Sequence, residues 1–370
     1  MNKFIKLIFS KKIFQKPSKK KFLVLDSLNS DIFRTCLNLN HTHFLDTRYE
    51  SINFFVLFNV FLKKKFSFNS YVEQYINFVD PEYIISFIDN NIFYYHLKKI
   101  FPEKKIIIIQ NGMRTQHFFE ELSKYSNLKV NYLLTFSDFY SKKYNESING
   151  KCISIGSFKN NLYERKFEKK NNVISYISSG PSSKNNMVIY EKINLKNSKY
   201  FLPEEKLLPL LSKYCDEKKL TLQIILRSKD EKKINYEKNF YKKILGSKKY
   251  IFAETREKDK IYHLSDKSLL TICIYSAFGL EALSRGNRTV ILNLRDQVTN
   301  ITSLKLFWSS IKIKDKGLFW TNEINEKEIF MVLDNTINCS NEIWKNSVST
   351  FMPHLINYDK NNKKFISLLI

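Results

Sequence analysis

The chain has 370 residues, of which 43% are hydrophobic, and its 61 Lys and Arg against 36 Asp and Glu give a formal net charge of +25. That apolar content excludes a globally disordered chain, and the length accommodates two ordinary domains. The positive field favours anionic partners, but the crowding of Lys, Asn, Ile, Phe and Tyr beside only 8 Gly and 7 Pro also fits an AT-rich coding sequence, so only part of the charge is read as an anion site.

Residues 1–20 are a basic segment in which lysines alternate with apolar residues (MNKFIKLIFSKKIFQKPSKK). It lacks the continuous apolar stretch and small-residue cleavage site of a secretory signal. Two readings stand: a basic foot on anionic lipid at a membrane surface, or a frayed tail. The longest apolar run, residues 52–62, is short of the roughly 20 residues that span a bilayer.

From residue 21 the pattern becomes regular. KFLVLDSL (21–28), EYIISFID (82–89), KIIIIQNG (105–112), NYLLTFSD (131–138) and KCISIGS (151–157) are apolar runs without alternation. Helical patterns such as NNIFYYHLKKIF and QHFFEELSKY separate them. Buried strands alternating with helices predict a doubly wound parallel sheet over 21–163. ERKFEKKNN (164–172) is charged and aperiodic and reads as a linker.

A second series occupies 172–345. NVISYISSGP is a strand running into a turn. EEKLLPLLSKYCDEK is an amphipathic helix in which Pro209 predicts a kink or a late start. LTLQIILRSK is a strand ending at Arg227, and YEKNFYKKILG a helix closed by Gly246. SLLTICIYS and RTVILNLR are two more strands, and residues 346–370 read as a helical tail. The expected fold class is α/β, with two tandem Rossmann-like domains. The five cysteines (Cys36, Cys152, Cys215, Cys273, Cys339) show no metal-ligand spacing and fit a reducing, cytoplasmic compartment. His41 and His43 read as a loop pair, and no metal site is expected.

In open α/β sheets, ligands collect beyond the carboxyl ends of the strands. That rule selects Ser178 to Ser182, Arg227 and Ser228, and Ser276 to Glu281 in the second half. In the first half it selects Asp26, Asp89, and Gln110 to Arg114. Gly279 is expected to let the backbone turn at a helix start, where free N–H groups favour an anion. Glu281 either accepts hydrogen bonds from ligand hydroxyls or merely stabilises the helix N-terminus. Arg227 offers a planar fork to phosphate, or is a surface arginine. The Ser-Ser-Gly-Pro-Ser-Ser turn offers hydroxyls and N–H groups. Gln110-Asn111-Gly112-Met113-Arg114 is a turn after the most apolar strand, with His117 following.

Taken together, Gln110–Arg114, Gly156–Asn161, Ser276–Gly286 and Gly317–Asn322 resemble a bacterial family of surface carbohydrate biosynthesis proteins, over nearly the whole chain from Lys21. The Ser-x-x-Gly-x-Glu-Ala-Leu-x-x-Gly piece is similar to a pattern in GT-B-fold glycosyltransferases. The resemblance implies two Rossmann-like domains around a cleft, the first for the acceptor and the second for the donor. It implies donor contacts by Gly180, Pro181, Ser182, Arg227, Ser276, Gly279, Leu280 and Glu281, and acceptor-side contacts by Gln110, Asn111, Gly112 and Arg114. Catalysis would need a base, for which Asp26, Asp89 and His117 are candidates, and leaving-group donors, for which Arg227 and the N–H groups of Gly180 and Gly279 are candidates. Metal is not expected to take part. The partners implied are a nucleotide sugar, as substrate rather than cofactor, and a glycan or lipid-linked acceptor at the inner face of the membrane. Relatives often carry an acid where this chain has Tyr275, which predicts altered donor choice or activity.

Other readings share this architecture: a nucleotide-sugar epimerase, a polyol-phosphate transferase of the teichoic acid type, and an inactive saccharide-binding relative. Charge alone suggests nucleic-acid binding, but no helix-turn-helix, zinc or RRM signature accompanies it, and no nucleic acid is expected.

Overall fold

The computed structural model describes residues 9–26, 30–47, 50–64, 67–165, 170–181, 187–190, 193–257, 259–274, 276–300 and 314–369. The chain divides into two compact units. The first is Met1–Met113, Phe119–Leu162 and Asp359–Ile370; the second is Arg114–Phe118 and Tyr163–Tyr358. The expected tail of 346–370 is therefore cut, because the division falls between Tyr358 and Asp359.

The first unit opens with a short strand, β1 (Lys11–Ile13). Its main sheet holds β2 (Phe22–Leu25), β3 (Thr42–Leu45), β5 (Tyr83–Ser86), β6 (Lys105–Ile109), β7 (Leu128–Thr135) and β8 (Ile148–Ser154), in the order β3-β2-β5-β6-β7-β8. All its pairings are parallel. Leu23, Val24 and Leu25, and Ile106 through Ile109, are buried without alternation, as a sheet covered on both faces requires. Helices Phe68–Val79, Ile92–Ile100 and Asp138–Asn145 are each capped by a polar side chain, those of Ser67, Asn91 and Ser137.

The apolar run 52–62 is split between two elements. β4 (Ser51–Asn53) pairs in parallel with β1, and a helix follows over Phe54–Leu62. Asn53 makes the switch, since its side chain accepts from the Val56 N–H at 3.0 Å. Residues 11–13 are thus strand-paired, which rules out a wholly frayed N-terminal segment.

The second unit's main sheet contains β9 (Asn171–Ile177), β12 (Thr221–Ile225), β13 (Ile251–Ala253), β14 (Ser268–Cys273), β15 (Thr289–Leu292), β16 (Lys316–Gly317) and β17 (Trp320–Thr321). The order is β13-β12-β9-β14-β15-β17-β16, parallel except for the β16–β17 edge pair. A separate antiparallel hairpin, β10 (Met187–Tyr190) and β11 (Ile193–Lys196), lies between β9 and β12 in the chain. The helix expected to start late or kink at Pro209 runs over Leu202–Glu217, with Pro203 in its first turn and Pro209 inside. The late start is overturned. A first-turn proline costs no hydrogen bond, and Leu207, Leu208 and Leu211 bury the flanks of Pro209. The core packs these leucines with Ile174, Ile224, Ile272 and Val290 of the sheet.

Candidate functional site

In the second unit the chain leaves β9, builds β12 and β13 on one side, and returns to place β14 on the other. The strand order therefore reverses between β9 and β14, the point where such sheets open a crevice at their carboxyl edge. Four segments reach that edge: residues 178–181 after β9, 226–228 after β12, Ile274 and Ser276 after β14, and 293–295 after β15.

The segment after β9 is fixed from below. Ser178 is buried and its hydroxyl donates to the Glu237 carboxylate, while it accepts from Tyr241 OH at 2.7 Å and from the Gly180 N–H at 3.0 Å. The same Glu237 carboxylate, fully buried in helix Glu231–Leu245, accepts from the N–H groups of Arg227 and Ser228, both at 3.0 Å. One acidic side chain thus clamps the carboxyl ends of β9 and β12 together. Gly180 has φ +75° and its missing Cβ would lie 2.8 Å from Arg227 Cδ. The positive φ favours glycine here, and a Cβ would force the Arg227 side chain to shift. The Arg227 side chain itself is exposed, with Nη1 3.3 Å from Ser179 O. A guanidinium is therefore offered to solvent from a backbone that Glu237 holds by two hydrogen bonds.

After β14, Ser276 caps the helix Ala277–Ser284, its Oγ accepting from the Phe278 N–H at 3.2 Å. Gly279 lies inside this helix and does not have a positive φ. The expectation that it supplies a tight turn is overturned: a Cβ there would collide with Cys273 Sγ, so glycine lets the helix pack closely on β14. Glu281 is 9% exposed and accepts from Tyr262 OH at 2.9 Å. Burial, and next the Glu281 carboxylate, push the Tyr262 hydroxyl well up, so it stays a donor. Tyr262 stacks on Tyr163 with centroids 4.8 Å apart. Leu280 is 1% exposed; its side chain belongs to the core and not to a donor contact. The N–H groups of Gly180 and Gly279 both have internal acceptors, Ser178 Oγ and Ser276 O, so neither is the open phosphate donor that was expected. Pro181 is buried, and Ser182 and Tyr275 lie outside the described residues.

Two groups at this edge escaped the sequence reading. Arg295 is 1% exposed; it donates to Ser179 Oγ and Glu204 Oε1, each at 3.2 Å, and lies 4.2 Å from the Tyr200 ring centroid. Desolvation pushes the Glu204 carboxyl up, against the pull of Arg295. Asn293 is buried, and its Nδ2 makes no hydrogen bond among the described residues. The signal was available, since Arg295 follows an apolar strand just as Arg227 does.

In the first unit the sheet order reverses between β2 and β5. Asp26 follows β2 with φ 76°, a backbone region rare outside glycine, and is 1% exposed. Asp89, after β5, is a brace: its carboxylate accepts from the Asn111 N–H at 3.1 Å and from Tyr144 OH, and its carbonyl from Tyr95 OH at 2.6 Å. The carboxylate expected as a candidate base is thus engaged in bracing the fold. Gln110 is likewise structural, donating to Gly112 O at 2.8 Å and accepting from the Phe136 N–H at 2.8 Å. Asn111 Nδ2 donates to Phe87 O at 2.8 Å. Arg114 stands 5.3 Å from the Phe118 ring centroid, and with half-buried His117 it falls in the segment that groups with the second unit. Among the described residues no cluster of three His, Cys, Asp or Glu is arranged to hold a metal ion.

The architecture matches known structures. The wall teichoic acid polymerase TagF aligns with a TM-score of 0.51 at 11% identity, over 95% of this chain and 89% of that one. A variant of that polymerase soaked with CDPG aligns at 0.52, 11% identity, over 95% and 88%. A glycosyltransferase from Rickettsia africae ESF-5 aligns at 0.50, 11% identity, over 95% and 98%. At such identity these likenesses establish the fold, that of GT-B glycosyltransferases. No curated protein matches the chain in sequence. The model of a family described as "putative O-antigen biosynthesis protein" matches residues 107–370, and the chain belongs to that family of surface-glycan proteins.

Proposed function

We propose that the protein is a glycosyltransferase that moves a sugar from a nucleotide-sugar donor to a cell-surface glycan or lipid-linked acceptor. The observation that carries this reading is the exposed Arg227 guanidinium on the turn that Gly180 and Glu237 fix, at the carboxyl edge of the second sheet. As the sugar–oxygen bond breaks, negative charge grows on the leaving phosphate. A positioned guanidinium stabilises that charge more than it stabilises the ground state. Glu281, one turn into the helix after β14, supplies the carboxylate suited to ribose hydroxyls. The acceptor hydroxyl must lose its proton, and with Asp89 engaged as a brace, Asp26 and His117 are the bases this reading retains. Charge stabilisation comes from arginine, without a metal.

A thermal-shift panel of UDP, GDP, CMP and CDP, free and linked to sugars or polyols, tests the reading. A ligand at one hundred times its Kd raises stability by about 2.7 kcal/mol, so the matching nucleotide raises Tm. A panel in which none does so ends the proposal. Isomerisation of a donor without acceptor would identify an epimerase instead, and turnover of a CDP-polyol a polyol-phosphate transferase.

A further inference from the structure

The helix Phe54–Leu62 has no charged residue in nine positions, an unusual composition for a helix with one face in water. Val56 and Val60, one turn apart, face inward. Leu57, Phe58, Phe61 and Leu62 point the other way and are 37%, 60%, 60% and 62% exposed. Phe14, just past β1, extends the patch: it is 71% exposed and its ring stacks on Phe54 at 5.3 Å. Exposed apolar surface of this kind, concentrated on one face, marks a contact site. Lysines predominate at both ends of this face, with the exposed Glu50 beside Lys11. Lys11, Lys12 and Lys16 lie at the β1 end of the helix, Lys63 and Lys64 at its other end, and all five are exposed.

We infer that this face, helix 54–62 with the adjoining strand segment, is a docking surface for an anionic lipid bilayer. Phenylalanine and leucine side chains enter the boundary between headgroups and acyl chains, while lysines at both ends of the helix meet anionic headgroups. The charge selects this partner over a second copy of the chain, which would bring +25 against +25. The mode is lying on the bilayer: among the described residues no helix is long and apolar enough to cross one. The inference moves the contact expected of residues 1–20 onto a helix whose lipid-facing residues are spaced by the helical repeat. It stands independently of the donor site, because every residue it uses belongs to the first unit.

Co-sedimentation of the full chain with vesicles tests it. Vesicles of phosphatidylcholine with a minority of phosphatidylglycerol should take up the protein at least about tenfold better than phosphatidylcholine alone, and rising salt should abolish the difference. The double variant Phe58→Ser/Phe61→Ser should lose about tenfold or more in partitioning while keeping the wild-type Tm, since both rings are exposed. Lys11→Gln/Lys12→Gln/Lys64→Gln, three exposed side chains, should weaken binding to the anionic vesicles and flatten the salt dependence. Protein that stays in the supernatant with anionic vesicles overturns the inference, as does a phenylalanine variant that pellets like wild type. A dimer in the absence of lipid, dissolved by the phenylalanine variant, would assign the face to a second copy and overturn it too.

Discussion

Arg285 and Asp266 form a bidentate ion pair closed to solvent, Nε to Oδ1 at 3.0 Å and Nη2 to Oδ2 at 2.5 Å, with side chains 0% and 1% exposed. The same guanidinium donates to the carbonyls of Tyr163 at 2.6 Å and Glu164 at 3.2 Å, and lies 5.1 Å from the Tyr262 ring centroid. It thereby ties the entry of the second unit to the helix that carries Glu281. Asn287 adds a hydrogen bond to Asp266 at 2.8 Å. Replacing Arg285 by Met takes the guanidinium from the buried Asp266 carboxylate and from the carbonyls of Tyr163 and Glu164. A loss of about 3–5 kcal/mol is expected, read as a fall in the urea midpoint. Arg285→Met/Asp266→Asn should recover part of it, because the uncompensated charge is then gone. A single variant as stable as wild type would show the pair to be ornamental.

Gly279→Ala tests close packing against backbone freedom. The added methyl would meet Cys273 Sγ, so a cost of about 1–3 kcal/mol is expected from overpacking. In Cys273→Ala the sulfur is absent, and the same glycine change should then cost far less. The two substitutions must couple. Additive losses would return the glycine to a role in backbone conformation.

These two positions show what the letters carry and what they hide. The parallel sheets were legible because β2, β6 and β9 are buried on both faces and so lack alternation. β3 was missed because it has four residues and His43 in its middle, hydrogen-bonded to Tyr75 OH at 2.7 Å; β13 has three residues and β17 two. The carboxyl-edge rule found Arg227 and Gly180, but not the acid that holds them. Glu237 is ten residues on, inside a helix rich in Glu and Lys, and nothing local separates a fully buried glutamate from its solvated neighbours. Gly279 was placed correctly and explained wrongly, because a glycine required by a neighbour across the sheet reads like one required by a turn. The apolar run 52–62 gave its length but not its exposure, which depends on which face finds a partner.

Lys170 makes stability depend on alkaline pH. Burial first, then the positive Arg165, lowers its ammonium from the usual 10.5 to about 8, against the pull of Asp266; its Nζ donates to Asp266 O at 2.6 Å. The folded state therefore holds the proton less firmly than the unfolded chain. The penalty is fully present below about 8, and it is relieved as pH rises from there toward 10.5, where the unfolded chain releases the proton as well. Lys170→Met removes this group, so the gap between variant and wild type should shift in favour of wild type across that window. Denaturation curves at pH 7, 9 and 10.5 read the difference. A gap constant with pH would mean that the lysine ionises normally in the folded chain.

The donor site makes the sharpest separation between stability and binding. Arg227 is exposed, so Arg227→Ala should leave the urea midpoint within about 0.5 kcal/mol of wild type. If its guanidinium meets a phosphate, nucleotide affinity should fall about tenfold or more, as loss of a charge-assisted bond implies. Arg227→Lys should recover only part, since an ammonium cannot reproduce the planar fork. Glu281→Ala is the companion. It removes the acceptor of Tyr262 OH, so a cost of about 1–2 kcal/mol in stability accompanies any loss in binding. Tyr262→Phe removes the same hydrogen bond while keeping the carboxylate, and should retain most of the nucleotide affinity. Isothermal titration of the four variants with the nucleotide that raises Tm distinguishes the roles. Equal affinity in Arg227→Ala and wild type would take the guanidinium out of the site. Parallel losses in Glu281→Ala and Tyr262→Phe would make Glu281 a structural acceptor for Tyr262 and not a ligand for the ribose.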